Sequence, residues 1–219
     1  MSFFNPSGFP DLYVSQNQLL QARLTTLRDK NTTYVTFRDN MNRIGAILAA
    51  EVLGKLPCRT VKVETPLAVT QGLAMPERAP AIVTILRAGL GLSRAFEDML
   101  PEGVVGHIGL YRDAETHMPC EYVLRLPDLE GRTVYLMDPM LATGNSLLHA
   151  LDLLKANGAG DIKIVALLAS PEGVRTVHGS YPGVPIYTGA LDDHLNDHAY
   201  IVPGLGDAGD RYFGTAGHG

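Results

Sequence analysis

Asp138 stands where an apolar run, Val134 to Met137, stops, and Pro139 beside it forces a turn. Thr143, Gly144, Asn145 and Ser146 then lead into LLHALDLLKANG, in which Leu147, Leu148, Leu151 and Leu154 recur at helical spacing and Gly158 supplies a stop. The polar tetrad therefore sits at a helix N-terminus, where backbone N–H groups lack partners and the helix dipole is positive. Gly144 lets an oxyanion approach closely, and the hydroxyls of Thr143 and Ser146 add donors, so this loop has the chemistry of a phosphate cradle. A bare T-G-x-S is also what an ordinary capped helix start looks like. Asp138 adds what such a cap does not need, an acid at the carboxyl end of a buried strand, able to face ribose hydroxyls or a metal. Walker-type nucleotide binding is excluded, because that loop closes on a lysine and none occurs here.

Two arginines stand in comparable places. Arg87 ends the apolar run Ala81 to Leu86 and precedes Ala88, Gly89, Leu90 and Gly91 and a helix through Met99, while Arg112 ends the run Val104 to Tyr111. Either alone reads readily as a solvated or ion-paired residue. Together with Asp138 and the phosphate-type turn they crowd the carboxyl ends of strands, the edge at which open α/β sheets bind ligands. Arg87 with its glycine turn could then hold a diphosphate group. After Arg112, DAETHMPCEYVLRLP runs out and back as a hairpin flap, residues 110–127 or thereabouts. GLGLSR fails the dinucleotide fingerprint, since Arg94 fills the place of its third small residue. Gly204 to Gly209 matches G-x-G-x-x-G only formally, because too little chain follows for the helix, second strand and acid that give the pattern its meaning. On residue types alone that loop, with Asp207 and Asp210, could be a surface turn.

The elements that must position these residues alternate. Further strands are predicted over Asp161 to Ala169 and Val184 to Ala190, with a helix over Pro171 to His178 between them. Strand and helix in alternation imply an α/β fold, a mainly parallel sheet flanked by helices with right-handed crossovers. Upstream, Gln16 to Asp29 places Leu19, Leu20, Leu24 and Leu27 on one helical face, and Phe37, Met41, Ile44, Leu48 and Val52 mark a longer helix. Met1 to Val14 reads as an extended arm without strand or helix period, and TVKVETPLAV as a strand that Pro66 demotes to an edge or hairpin arm. The chain has 219 residues, 46% hydrophobic and 19% charged, which suits one globular unit over 1–219, its N-terminal arm and helices in 1–57 and its core in 58–219. A net charge of −5 argues against general nucleic-acid binding. Cys58 and Cys120 have neither C-x-x-C spacing nor a histidine pair nearby, so plain thiols, no metal centre and a reducing compartment are expected. With no leader-like stretch and no apolar run of membrane-spanning length, a soluble cytoplasmic protein with no membrane partner is expected.

ILRAGLGL, YRDAETHMP, MDPMLATGNS, ASPEG and YIVPGLGDAGDRYFGT occur in an order and spacing that resemble the uracil phosphoribosyltransferase family of type I phosphoribosyltransferases, covering about the last two-thirds of the chain. LRDKNTTYVTFR extends the likeness to the leading helices. The sequence departs from the family at Asn17-Gln18, where a His-Pro is usual, and at Asn145, more often glycine. The resemblance implies transfer of a phosphoribosyl group from 5-phospho-α-ribose 1-diphosphate (PRPP) to uracil, giving UMP and diphosphate. It implies that Asp138, Pro139, Met140, Leu141, Ala142, Thr143, Gly144, Asn145 and Ser146 bind the ribose 5-phosphate end, that Arg87 and Arg112 hold the diphosphate, and that Asp207 also reaches the donor. Ile201, Gly206, Asp207 and Ala208, in the loop 200–209, would form the uracil site, with Arg112 and Asp207 as the catalytic pair. It further implies Mg²⁺ carried mainly by PRPP, with no protein metal cage, a homodimer or higher homo-oligomer, and, as in some members, activation by GTP. A regulator of the same fold that binds RNA or a nucleotide is the alternative, and a nicotinamide-dependent dehydrogenase a more distant one.

Overall fold

The computed structural model describes residues 3–112 and 119–215, with side chains at all of these except 111, 112, 119 and 120. The tip of the expected flap and the side chain of Arg112 therefore lie outside the described residues. In chain order the elements are β1 (Phe3–Phe4), β2 (Leu12–Ser15), α1 (Gln18–Arg28), α2 (Tyr34–Leu53), β3 (Arg59–Glu64), β4 (Val69–Ala74), β5 (Ala81–Leu86), α3 (Leu90–Met99), β6 (Val104–Arg112) and β7 (Pro119–Arg125). There follow β8 (Thr133–Met137), β9 (Met140–Leu141), α4 (Asn145–Ala156), β10 (Asp161–Ala169), α5 (Pro171–Ser180), β11 (Ile186–Leu191), β12 (His194–Leu195), β13 (Ile201–Val202) and α6 (Ala208–Phe213).

The main sheet runs β1-β2-β11-β10-β8-β5-β6-β7, with β9 beside β10. From β2 to β6 every neighbouring pair is parallel, and β1 and β7 close the two edges antiparallel. The near-continuous apolar runs arise because both faces are covered. On β8, Val134 and Leu136 pack with Leu147, Leu151, Val174 and Val177 of α4 and α5, whereas Tyr135 and Met137 pack with Met41, Ile44, Leu92 and Phe96 of α2 and α3. Successive side chains thus point to opposite helical layers, as the two-residue repeat of a strand requires. Strand order turns around between β5 and β8: β5 leads outward to β6 on one side, β8 to β10 and β11 on the other. That switch point leaves a crevice at the carboxyl ends of β5 and β8.

The predicted helices and parallel strands form where their spacing places them, with ends displaced by a turn or less. The N-terminal arm differs from expectation. Leu12 to Ser15 joins the sheet as β2, parallel to β11 with Leu12 opposite Ile186. A strand this short shows no alternation in sequence, and it forms through long-range pairing that no local pattern encodes. The segment around Pro66 is a separate two-stranded hairpin, β3 with β4, whose turn is closed by Thr65 N–H donating to Ala68 O at 2.9 Å. Asn17 caps α1, its side chain accepting from the Leu19 and Leu20 amides and donating to Glu51. No helix among the described residues is long and apolar enough to cross a membrane.

Candidate active site

β8 is buried along its whole length, and its chain leaves the sheet at Asp138 and Pro139 before rejoining β10 as β9. The detour is stitched down by backbone: Asp138 N–H donates to Val165 O at 3.2 Å, and Leu167 and Leu168 N–H both donate to Pro139 O at 3.0 Å. One carboxylate oxygen of Asp138 accepts from Met140 N–H at 3.2 Å. Gly144, at φ 87°, then starts α4 with no side-chain cap, and Thr143 Oγ1 lies 3.4 Å from the Asn145 amide, a weak contact. The ordinary capped-helix reading therefore fails on geometry. Apart from that weak contact at Asn145, no side-chain cap engages the first-turn amides of α4, the geometry an anion cradle requires.

The end of β5 meets this loop through Gly89. A Cβ there would lie 2.6 Å from Ile85 O and 2.8 Å from Met137 O, so only glycine lets the turn after Arg87 seat against the ends of both strands. Arg87 itself is exposed, its guanidinium 5.3 Å from the centre of the Phe213 ring. Arg112 is the last residue of β6, opposite Pro119 of β7, and the hairpin sends Leu110 and Tyr122 to the same crevice.

The third wall is the loop after β13, and α1 holds it. Arg28 grips the Asp192 carboxylate with two hydrogen bonds of 2.7 and 2.5 Å and donates to Gly204 O at 2.8 Å, while Gly204 N–H donates to Asp192 at 2.8 Å. Asp192 is buried, and this fork supplies the hydrogen-bond partners that a buried carboxylate needs. Arg211 donates to the Leu27 and Leu205 carbonyls at 2.6 Å, pinning the loop to the end of α1, and burial lowers its pKa from the usual arginine value. Gly204 sits at φ 60°, where a Cβ would collide with Ile201 O at 2.0 Å. Asp207 is exposed and caps α6 by accepting from Asp210 N–H at 2.8 Å.

These walls enclose a cleft of about 810 Å³. Of the residues proposed from sequence, Arg87, Asp138, Met140, Ala142, Ser146, Ile201, Gly206, Asp207 and Ala208 line it. Pro139, Leu141 and Gly144 are buried behind it, while Thr143 and Asn145 stand at its edge of the chain without lining it. Sequence reasoning placed Tyr122 in the flap and Tyr200 in the base loop without giving either a role, and missed His198 and Ala199, all four of which also line the cleft, and the Arg28–Asp192 pair beneath the loop. Ala199 at φ 60° is held there by its N–H on Asn196 O and by the Asn196 side chain, which accepts from the His198 and Tyr200 amides. Nothing in the residue types announces that turn. A larger groove of about 1020 Å³ between the N-terminal arm and α2 is mainly apolar, and its charged residues, Glu51 and Lys55, are engaged by Ser15 and Asn17 and by the rings of Phe3, Tyr13 and Tyr187.

A family model described as uracil phosphoribosyltransferase matches residues 14–215. The uracil phosphoribosyltransferase of Burkholderia ambifaria is 49% identical over 211 residues, covering 95% of this chain and 97% of that protein. A solved structure of a protein from Aquifex aeolicus, 33% identical, superposes with a TM-score of 0.84 over 92% of this chain and 97% of its own. The adenine phosphoribosyltransferase of Trypanosoma brucei, 15% identical with a TM-score of 0.60 over 94% of this chain and 92% of its own, shares the fold. With a match that spans nearly every described element, the chain belongs to the uracil phosphoribosyltransferase family.

Proposed function

We propose that this protein transfers the phosphoribosyl group of PRPP to N1 of uracil, giving UMP and diphosphate. The observation that supports the proposal is one cleft at the sheet's switch point, lined together by Asp138, Met140, Ala142 and Ser146, by Arg87, and by Ile201 and Gly206 to Ala208. The C1–oxygen bond to diphosphate breaks as the bond from N1 to C1 forms and N1 gives up its proton to solvent or to the departing diphosphate, so negative charge grows on the leaving group. Arg87 and Arg112 stabilise that charge, a task that needs prearranged donors rather than a nucleophile. The α4 amides and the Ser146 hydroxyl take the 5-phosphate, and Asp138 holds the ribose hydroxyls. The flap strands limit access of water to the donor.

Mg²⁺ fits this arrangement. The cleft lining includes two carboxylates, Asp138 and Asp207, and magnesium keeps several waters and leans on substrate oxygens rather than on a protein cage. Bound through PRPP beside Asp138 and Asp207, Mg²⁺ would supply neutralisation of charge on the diphosphate.

The chain also self-associates on this reading. Leu67 is 96% and Leu73 74% exposed on the β3–β4 hairpin, alongside exposed Val63 and Val69. An apolar arm of this kind, standing off the body as its own small sheet, suits burial against a second copy. The test of the proposed reaction is UMP formation from uracil and PRPP by the purified protein, with and without Mg²⁺. Turnover that needs both substrates and the metal supports it, and none under those conditions refutes it.

A further inference from the structure

Ser170, Pro171, Glu172 and Gly173 have no role in the chemistry above, yet they stand where the two substrate loops meet. On one side they hold the phosphoribosyl loop: Ser170 N–H donates to Leu141 O at 2.9 Å and its hydroxyl to Ala142 O at 2.6 Å. Gly173 lies so close beneath that loop that a Cβ would sit 2.2 Å from Ala142 O. On the other side Glu172 Oε1 accepts from Leu195 N–H at 3.2 Å. Leu195 belongs to β12 and pairs with Ile201, the first residue of the base loop. A single helix start thus bridges both sites, and Pro171 in its first turn stiffens the bridge.

Glu172 does more than support the helix start. Ser170 already caps α5, its hydroxyl accepting from Gly173 N–H at 2.9 Å. Oε2 of Glu172 accepts no hydrogen bond from another residue among the described residues, so the link to Leu195 rests on Oε1. Its own backbone N–H first, and that of Leu195 after it, hold the carboxyl below the usual carboxylate range, so it carries charge at neutral pH. The hairpin it reaches is slight, two residues per strand, and such a hairpin does not hold its place alone. Asp192 and Arg28 secure the end that carries Gly204. Glu172 secures the end nearer the His198 to Tyr200 turn, which faces the cleft.

We propose that Glu172 is a positioning residue that ties the base loop to the phosphoribosyl loop and so sets the spacing at which uracil and donor meet; this rests on the reaction proposed above. An error of about 1 Å between reacting groups costs on the order of 10²-fold in rate, so a partial loosening should be visible in turnover while donor binding is spared.

The test compares wild type, E172A and E172Q. UMP formation is measured against uracil at saturating PRPP, PRPP affinity by calorimetry without uracil, and thermal stability separately. E172A is expected to lose roughly tenfold or more in kcat/KM for uracil, with PRPP affinity unchanged within about threefold. E172Q, whose side-chain carbonyl still accepts from Leu195 N–H, should recover most of the loss. Uracil kinetics in E172A equal to wild type, whatever its Tm, would overturn the proposal. So would a matching loss of PRPP affinity, or E172Q as poor as E172A. If E172A does not fold, E172D keeps the charge but falls short of Leu195 and must show the same selective loss; normal uracil kinetics in E172D refutes the tie. A wild type that makes no UMP overturns the reaction and the tie together, whereas an active wild type with unaffected variants overturns the tie alone.

Discussion

Asp138 and Asp207 both line the cleft, but the structure gives them different second tasks. Asp138 accepts from Met140 N–H at 3.2 Å, which an amide oxygen could do equally well. Asp138→Asn is therefore expected to fold normally and to use PRPP about tenfold or more less efficiently, the scale of a lost charge-assisted hydrogen bond. Initial rates against PRPP together with a melting curve check this, and a fall in Tm with full activity in the folded fraction would assign Asp138 to structure. Asp207 caps α6 as well as facing the cleft. Because Asn caps as well as Asp, Asp207→Asn should keep stability and lose turnover, whereas Asp207→Ala should lose turnover and also about 1 kcal/mol of stability. Equal Tm values for the two variants would remove the cap from the account.

At the scale of elements, what the sequence displays and what it hides separate cleanly. Val134 to Met137, Asp138 and the leucines after Ser146 announce strand, turn and helix because each signal is local and the burial is two-sided. Arg87 and Asp138 could be brought together in thought because both end parallel strands, and parallel strands share a ligand-binding edge. Arg28 and Asp192 could not. Their partnership spans the length of the chain, and each residue alone looks like a solvated charge. Likewise Leu12 to Ser15 becomes β2 only because β11 offers an edge. The hidden pair is the more consequential for the base loop. Arg28→Met would leave the buried Asp192 carboxylate with Gly204 N–H as its remaining described partner. Removing one member of such a pair costs about 3–5 kcal/mol, and because Arg28 is itself partly exposed we expect the lower end, a Tm fall of roughly 6–12 °C. KM for uracil should rise more than KM for PRPP. Adding Asp192→Asn should restore part of the Tm, and a double variant no better than the single would show that the charge is not what matters.

At the scale of the whole molecule, the sheet's switch point explains why one cleft receives residues from such distant segments, and the β3–β4 hairpin is the part of the structure this logic leaves unused. If the hairpin serves a second copy, Leu67→Asp with Leu73→Asp should shift sedimentation from an oligomer toward monomer while helix and strand content stay as in wild type. A wild type that sediments as a monomer, or a variant that assembles as before, would remove that role. The central claim concerns the base. From Ile201 to Ala208 the side chains other than Asp207 offer no hydrogen-bonding group, so we propose that within this segment peptide groups read uracil, one N–H giving to a carbonyl oxygen and one C=O taking from N3–H, with the Tyr122, His198 and Tyr200 side chains elsewhere on the cleft wall. Cytosine reverses both partners, and each mispaired buried group costs about 1–3 kcal/mol. The most direct measurement is a competition between uracil and cytosine for PRPP, with the nucleotide products quantified. The account predicts UMP favoured by at least ~10²-fold, little altered in Ile201→Val and eroded in Gly206→Pro, where the loop backbone itself is disturbed. Efficient formation of CMP, or no nucleotide from either base, would contradict it.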